Sequence, residues 1–128
     1  MPFLLSEEVR DVFSHVYIAR DLSTGHVVGA GMYALSNADN HVYELCMINV
    51  HPDYQGQGIG RKIISFILNE LLARSGELEC KLVVLTAKGT LCQYYQPFGF
   101  DIKDKLDDEY FMSLDYREKW RRRNYSNE

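Results

Sequence analysis

With 128 residues, 46% of them hydrophobic and 25% charged, the chain can fill one core but not two ordinary domains, so residues 1–128 read as a single domain. A net charge of −4 argues against nucleic acid as the main partner, because non-specific binding to phosphates needs a surplus of positive charge. No apolar run approaches the roughly 20 residues that span a bilayer, and Met1-Pro2-Phe3-Leu4-Leu5-Ser6 is too short and uncharged for a signal peptide. A cytoplasmic or nuclear protein without membrane attachment is expected.

In chain order, Ser6 is placed to cap a short helix from Glu7 to about Phe13, with the two glutamates in its first turn. His15 to Arg20 reads as a strand, Asp21-Leu22-Ser23-Thr24-Gly25-His26 as a hairpin turn, and Val27 to Leu35 as the partner strand. A second turn, Ser36-Asn37-Ala38-Asp39-Asn40, leads to a third strand, Val42 to Val50. Then come His51-Pro52-Asp53-Tyr54 and the glycine-rich loop Gln55-Gly56-Gln57-Gly58-Ile59-Gly60. Ile59, Ile63, Ile64, Ile67, Leu68, Leu71 and Leu72 recur at the three- and four-residue spacing of a helix with one buried face. That helix is expected to end near Ser75-Gly76, where the glycine suits a C-terminal cap. Lys81 to Ala87 is a further strand, Thr90 to Gln96 a short helix stopped by Pro97, and Tyr110 to Leu114 a last strand. The pattern predicts a mixed α/β layer: an antiparallel meander, a strand–loop–helix–strand crossover with parallel strands, and an antiparallel end strand.

Glycines at the start of a helix leave backbone N–H groups unshielded at the positive end of its dipole, which suits an anion such as phosphate. A dinucleotide fingerprint G-x-G-x-x-G would need its third glycine where Arg61 stands, and Gly60-Arg61-Lys62 lacks the Gly-Lys-Ser/Thr of a Walker loop. The pattern that fits is Q/R-x-x-G-x-G/A, and it resembles the coenzyme A pyrophosphate loop of the GNAT superfamily of N-acetyltransferases. Val50-His51-Pro52 before the loop and Tyr95-Gln96-Pro97-Phe98-Gly99-Phe100 after it, similar to the family's Tyr-x-x-x-Gly-Phe signature, extend the resemblance over about His15 to Leu114. It implies a GNAT-like acyl-CoA N-acyltransferase fold with a shortened N-terminus. Family members place a strand and two helices before the meander, and this chain has room for one helix only; the missing elements help wall the acceptor site.

The resemblance implies acetyl-CoA as co-substrate, bound by backbone N–H groups of Gln55, Gly56, Gln57, Gly58, Ile59, Gly60 and Arg61, with the backbone of Ile48, Asn49 and Val50 holding the pantetheine arm. It also implies that Tyr95 protonates the leaving thiolate. A phenol near pKa 10 stays protonated at working pH and is able to do so. Glu44 falls by simple alternation on one face with Val42, Cys46, Ile48 and Val50. A carboxylate on such an apolar line is costly when ionised, which suits a general base, and its distance ahead of the loop resembles that of the catalytic glutamate of the histone acetyltransferase branch. The competing reading is a strand-start glutamate reaching solvent.

The expected activity is direct transfer of an acetyl group to a primary amine, on a protein lysine or another cationic amine. A small-molecule amine acetyltransferase and a non-catalytic acyl-CoA-binding module are the alternatives, and homodimerisation stays open. Six acids between Asp101 and Asp115, against Lys103 and Lys105, suggest attraction of a basic acceptor. The basic stretch of residues 116–128, with Arg121-Arg122-Arg123, reads as a solvated tail. Cys46 and Cys92 read as small buried hydrophobes, His51 as a surface residue and Tyr94 as a core aromatic; neither the three cysteines, Cys46, Cys80 and Cys92, nor the histidines form a metal pattern.

Overall fold

A computed structural model describes residues 3–11, 14–37, 41–73 and 80–116. Seven strands form one mixed sheet: β1 (Phe3–Asp11), β2 (Ser14–Asp21), β3 (Val27–Asn37), β4 (Val42–Val50), β5 (Leu82–Lys88), β6 (Asp101–Leu106) and β7 (Glu109–Asp115), in the order β1-β2-β3-β4-β5-β7-β6. Every neighbouring pair is antiparallel except β4 and β5. The helix α1 (Ile59–Ala73) supplies the crossover between those two, and a short α2 (Cys92–Tyr95) follows β5. The expected mixed α/β class, the meander and the crossover are all present.

Two elements and the start of one turn differ from the sequence reading; the turn differs because β3 runs on through Ser36 and Asn37, with Asn37 paired to Val42. Of the residues expected to form a helix from Glu7 to Phe13, Glu7 to Asp11 instead belong to β1, which pairs with β2 from Phe3↔Asp21 to Asp11↔Ser14; Val12 and Phe13 lie outside the described residues. Tertiary pairing overrides the local cap signal: the run lies against a β2 that already presents Tyr17 and Ala19 to the core, and it adds Phe3 and Leu5 to the edge of that core. The acidic stretch after Phe100, to which the sequence reading assigns no element, is regular structure. It forms β6 and the turn of a β6–β7 hairpin, with Asp107 in the left-handed region at φ 57°. Every residue of β6 is exposed, so the strand has no apolar alternation to reveal it. The expected helix end at Ser75-Gly76 and the basic tail from Arg117 onward lie outside the described residues.

The core lies between α1 and one face of the sheet. Ile59, Ile63, Ile64, Ile67, Leu68 and Leu71 of α1 meet Tyr17, Ala19, Val28, Tyr33, Tyr43, Leu45 and Val83. At about 1.5–3 kcal/mol per buried aliphatic side chain, this contact is the main stabilising term of the fold. It is made at close range, because β3 carries glycine twice beneath the helix. A Cβ on Gly29 would stand 3.1 Å from Ile63 Cδ1, and one on Gly31 would stand 2.7 Å from both Ile63 Cγ2 and Ile48 Cδ1. The opposite face of the sheet carries Val16, Ile18, Met32, Cys46 and Val84, each half-buried.

Gly31→Ala forces a methyl group into that contact, and Ile63 cannot turn its β-branched methyl aside without losing its own packing. We expect a loss of about 1–3 kcal/mol in chemical denaturation, with the same loss in a loop-intact variant that binds ligand normally. A midpoint equal to that of the wild type would show that α1 does not rest on Gly31.

Candidate functional site

β4 leads into the glycine loop through a capped turn. The ring nitrogen Nδ1 of His51 accepts the N–H of Asp53 at 3.1 Å and so caps the 3-10 turn Pro52–Tyr54. Tyr54 reaches back and donates its hydroxyl proton to Asp21 of the β2–β3 turn at 3.3 Å. The same carboxylate accepts the N–H of Ser23 at 2.8 Å, and this bond, against an opposing effect of burial, holds Asp21 below its ordinary pKa. The Gln55 side chain then donates to the Val50 carbonyl at 3.1 Å, which folds the loop back on the end of the strand.

Gly56 and Gly58 have φ of 83° and 80°, a region that residues with a Cβ enter only with strain. Nothing stands within 4 Å of the Cβ position of either, so the surface above the loop is bare backbone. The helix begins where Lys62 donates its N–H to the Gly58 carbonyl at 3.1 Å. The N–H groups of Gly58, Ile59, Gly60 and Arg61 therefore precede the first intrahelical donor and emerge together at the positive end of a 15-residue helix. The loop has the form of a phosphate seat.

Beside it the sheet opens. β4 and β5 pair only at Val42↔Leu82, Tyr43↔Val83 and Glu44↔Val84, so the rest of β4, including Ile48, Asn49 and Val50, runs on without β5 beside it. Within this stretch Met47 has φ 57°, and the register against β3 passes from Met32↔Cys46 to Ala30↔Asn49. Met47 and Ile48 thus stand opposite Gly31 alone: a β-bulge. The bulge corrects the alternation assumed for Glu44. Before it, Tyr43 and Leu45 face α1; after it, Ile48 and Val50 do, since Ile48 approaches Gly31 and Val50 approaches Gly60 from the helix side. Glu44 and Cys46 lie on the other face, so Glu44 shares no face with Ile48 and Val50, and it is exposed rather than set in an apolar line.

On that face Glu44 borders a cleft of about 440 Å³, with Val84 and Thr86 of β5, Phe111 and Ser113 of β7 and Lys103 of β6 around it. Lys103 escaped the sequence reading because it lies on β6, which has no periodic signal, and Thr86 and Phe111 because the pairing of β5 with β7 that sets them side by side is not visible in either segment alone.

Tyr95, Gly99 and Phe100 form a turn and an anchor. Gly99 reverses the chain at φ 104°, Phe100 is buried in the core, and the Tyr95 ring meets it edge-on at 6.2 Å. Burial raises the phenol pKa of Tyr95, with a smaller contribution from Tyr94, and keeps its hydroxyl protonated. Tyr94 is half-buried and is more than core filling. Its hydroxyl stands 2.6 Å from where a Cβ of Gly60 would be, with Val50 Cγ2 3.5 Å from the same point. Cys80 and Cys92 are buried and Cys46 half-buried; burial pushes the Cys80 thiol up to about 12. Among the described residues no helix is long and apolar enough to cross a membrane, and no group of His, Cys, Asp and Glu is placed to hold a metal ion.

The family model described as an acetyltransferase (GNAT) domain matches residues 13–102. The chain belongs to the GNAT acetyltransferase family. The N-alpha-acetyltransferase RimI of Mycobacterium tuberculosis is 34% identical over 100 residues, covering 77% of this chain and 60% of that protein. An acetyltransferase of Sodalis glossinidius is 30% identical over 82 residues, covering 64% and 55%. The chain thus spans little more than half the length of these GNAT relatives. The fold is shared with the PaiA N-acetyltransferase of Thermoplasma acidophilum in complex with coenzyme A (TM-score 0.65, 17% identity, 81% of this chain and 62% of that one). It is also shared with a GNAT family acetyltransferase of Elizabethkingia anophelis with acetyl-CoA bound (TM-score 0.65, 13% identity, 88% and 97%).

The contact between Gly60 and Tyr94 is open to a stability test. Gly60→Ala places a methyl against the Tyr94 hydroxyl and should destabilise by about 1–3 kcal/mol. In a Tyr94→Phe background the obstacle is gone, and the same alanine should be neutral or stabilising by a few tenths of a kcal/mol through helix propensity. Equal effects of Gly60→Ala in both backgrounds would show that the hydroxyl does not occupy that space.

Proposed function

We propose that this chain is an acetyl-CoA-dependent N-acetyltransferase, with the coenzyme on the Gln55–Arg61 loop and along Ile48–Val50. The observation that carries the reading is the pair of left-handed glycines with open space above them, at the N-terminus of α1, where β4 and β5 part. The residues fit the group: the bare N–H donors at the start of α1 would hold a pyrophosphate, and the free edge of β4 is long enough to hold an extended amide-bearing arm. When bound, acetyl-CoA supplies an acyl group activated as a thioester.

The chain's own residues then have two proton tasks. An alkyl ammonium near pKa 10.4 must be neutral to attack, at roughly 4–5 kcal/mol at pH 7, and Glu44 at the cleft is the acceptor for that proton. Its exposure lets the proton pass on to water. Tyr95, held protonated by burial, donates to the departing thiolate.

For the acceptor we propose a cationic amine, a protein lysine or α-amine ahead of a small molecule. The Gly89 N–H donates to the Asp108 carbonyl at 3.0 Å, which sets the Asp107-Asp108 turn beside the far end of β5, on the side where the strands part. RimI, named for N-alpha-acetylation, is consistent with an amine acceptor. The rival reading, a coenzyme-binding module without turnover, draws on the short junction between β1 and β2, which leaves no room there for two helices.

Acetyl-CoA should raise the melting temperature of the wild type, and Gly58→Glu should abolish the rise by combining a strained φ with a negative charge at the phosphate seat. Calorimetry giving that variant wild-type affinity would remove the reading's main support. With an amine panel, Tyr95→Phe and Glu44→Gln should each lower kcat at least tenfold while leaving coenzyme affinity within about twofold. Affinity without thiol release in the wild type would favour the binding module.

A further inference from the structure

We infer that Tyr94 is a positioning residue for the coenzyme, its hydroxyl donating a hydrogen bond to a phosphate oxygen held on the first turn of α1. The inference rests on the coenzyme reading above and adds a side-chain donor to what is otherwise a backbone seat. Four observations converge on it. The hydroxyl lies over Gly60, the second residue of the helix, with its oxygen 2.6 Å from the empty Cβ position and beside the last side chain of β4, Val50. Strand end, first helical turn and hydroxyl therefore meet at one point, beside the N-terminus of α1.

The ring is fixed from several sides. It meets the Tyr95 ring edge-on at 5.3 Å and the Phe98 ring at 6.2 Å, and the Arg61 guanidinium stands 5.9 Å from its centroid. A ring held this way loses little entropy on using its hydroxyl. The hydroxyl also has no hydrogen-bond partner among the described residues, so its proton is available to a ligand. Desolvation holds the phenol protonated, against a smaller opposing effect of Arg61. A neutral O–H donor suits a phosphate oxygen where a phenolate would repel it.

The division of labour with Tyr95 follows from direction. Tyr95 packs on Phe100, toward the core side of α2, while Tyr94 packs toward the loop. Tyr94 is thus assigned to binding, and proton transfer is left to its neighbour.

The test compares ligands with and without phosphate on two proteins. Coenzyme A affinity is measured by calorimetry, and pantetheine affinity by NMR titration, which reads millimolar constants. Tyr94→Phe, which keeps the ring, should raise the Kd for coenzyme A roughly ten- to a hundredfold, as expected for one hydrogen bond to a charged group, and leave the pantetheine Kd unchanged. An equal rise for both ligands would overturn the assignment by showing that the ring packs on the arm or merely shapes the site. An unchanged Kd for coenzyme A would overturn it as well. A wild type that binds neither ligand would refute the coenzyme reading itself and Tyr94's role with it.

Discussion

The close approach of α1 to β3 is the constraint on which the rest depends. Two glycines on β3 let the isoleucines of the helix descend onto the strand, with Ile59 and Ile63 against Gly29 and Ile63 and Ile67 against Gly31. A helix seated at that depth has its N-terminus fixed relative to the end of β4, because only the turn and loop of residues 51–58 join the two. The position of the proposed phosphate seat is therefore a consequence of core packing. Its glycines give the loop its shape, but its place beside the parting of β4 and β5 comes from the helix.

The bulge at Met47 gives β4 two functions without conflict. A regular strand of nine residues would keep Tyr43, Leu45, Met47 and Asn49 on the helix side and turn Ile48 and Val50 away from the core. The extra residue resets the alternation, so that apolar side chains face α1 along the whole strand while Glu44 faces the cleft. Met47, 72% exposed, takes the left-handed conformation that this shift requires.

The aromatic group of Tyr94, Tyr95, Phe98 and Phe100 links the loop to the chemistry. Phe100 anchors the turn in the core, Tyr95 lies on Phe100, and Tyr94 extends the contact to the first turn of α1. Two adjacent tyrosines on one helical turn point in different directions, so one addresses the helix start and the other keeps its phenol among apolar rings. The proposed seat for the coenzyme and the proposed proton donor are in this way held by one packed cluster.

By itself the sequence determined what is local or periodic. The apolar spacing from Ile59 to Leu72 gives α1 and its buried face; glycine at 56 and 58 gives a left-handed loop; the run from Val42 to Val50 gives a strand of the observed length; Gly99-Phe100 gives a reversal followed by an anchor. Each is specified by residues within a few positions of one another. Pairing decided the rest. Ser6 and the glutamates after it carry a helix signal, yet the edge offered by β2 makes them a strand. β6 has no buried residue to mark it and exists through its bonds to β7. The face taken by Glu44 turns on a bulge that no alternation rule foresees, and the hydroxyl of Tyr94 meets Gly60 across 34 positions of chain. Such outcomes depend on which surfaces meet once the sheet has closed, and that is settled by packing between distant residues, not by any one segment's own preference.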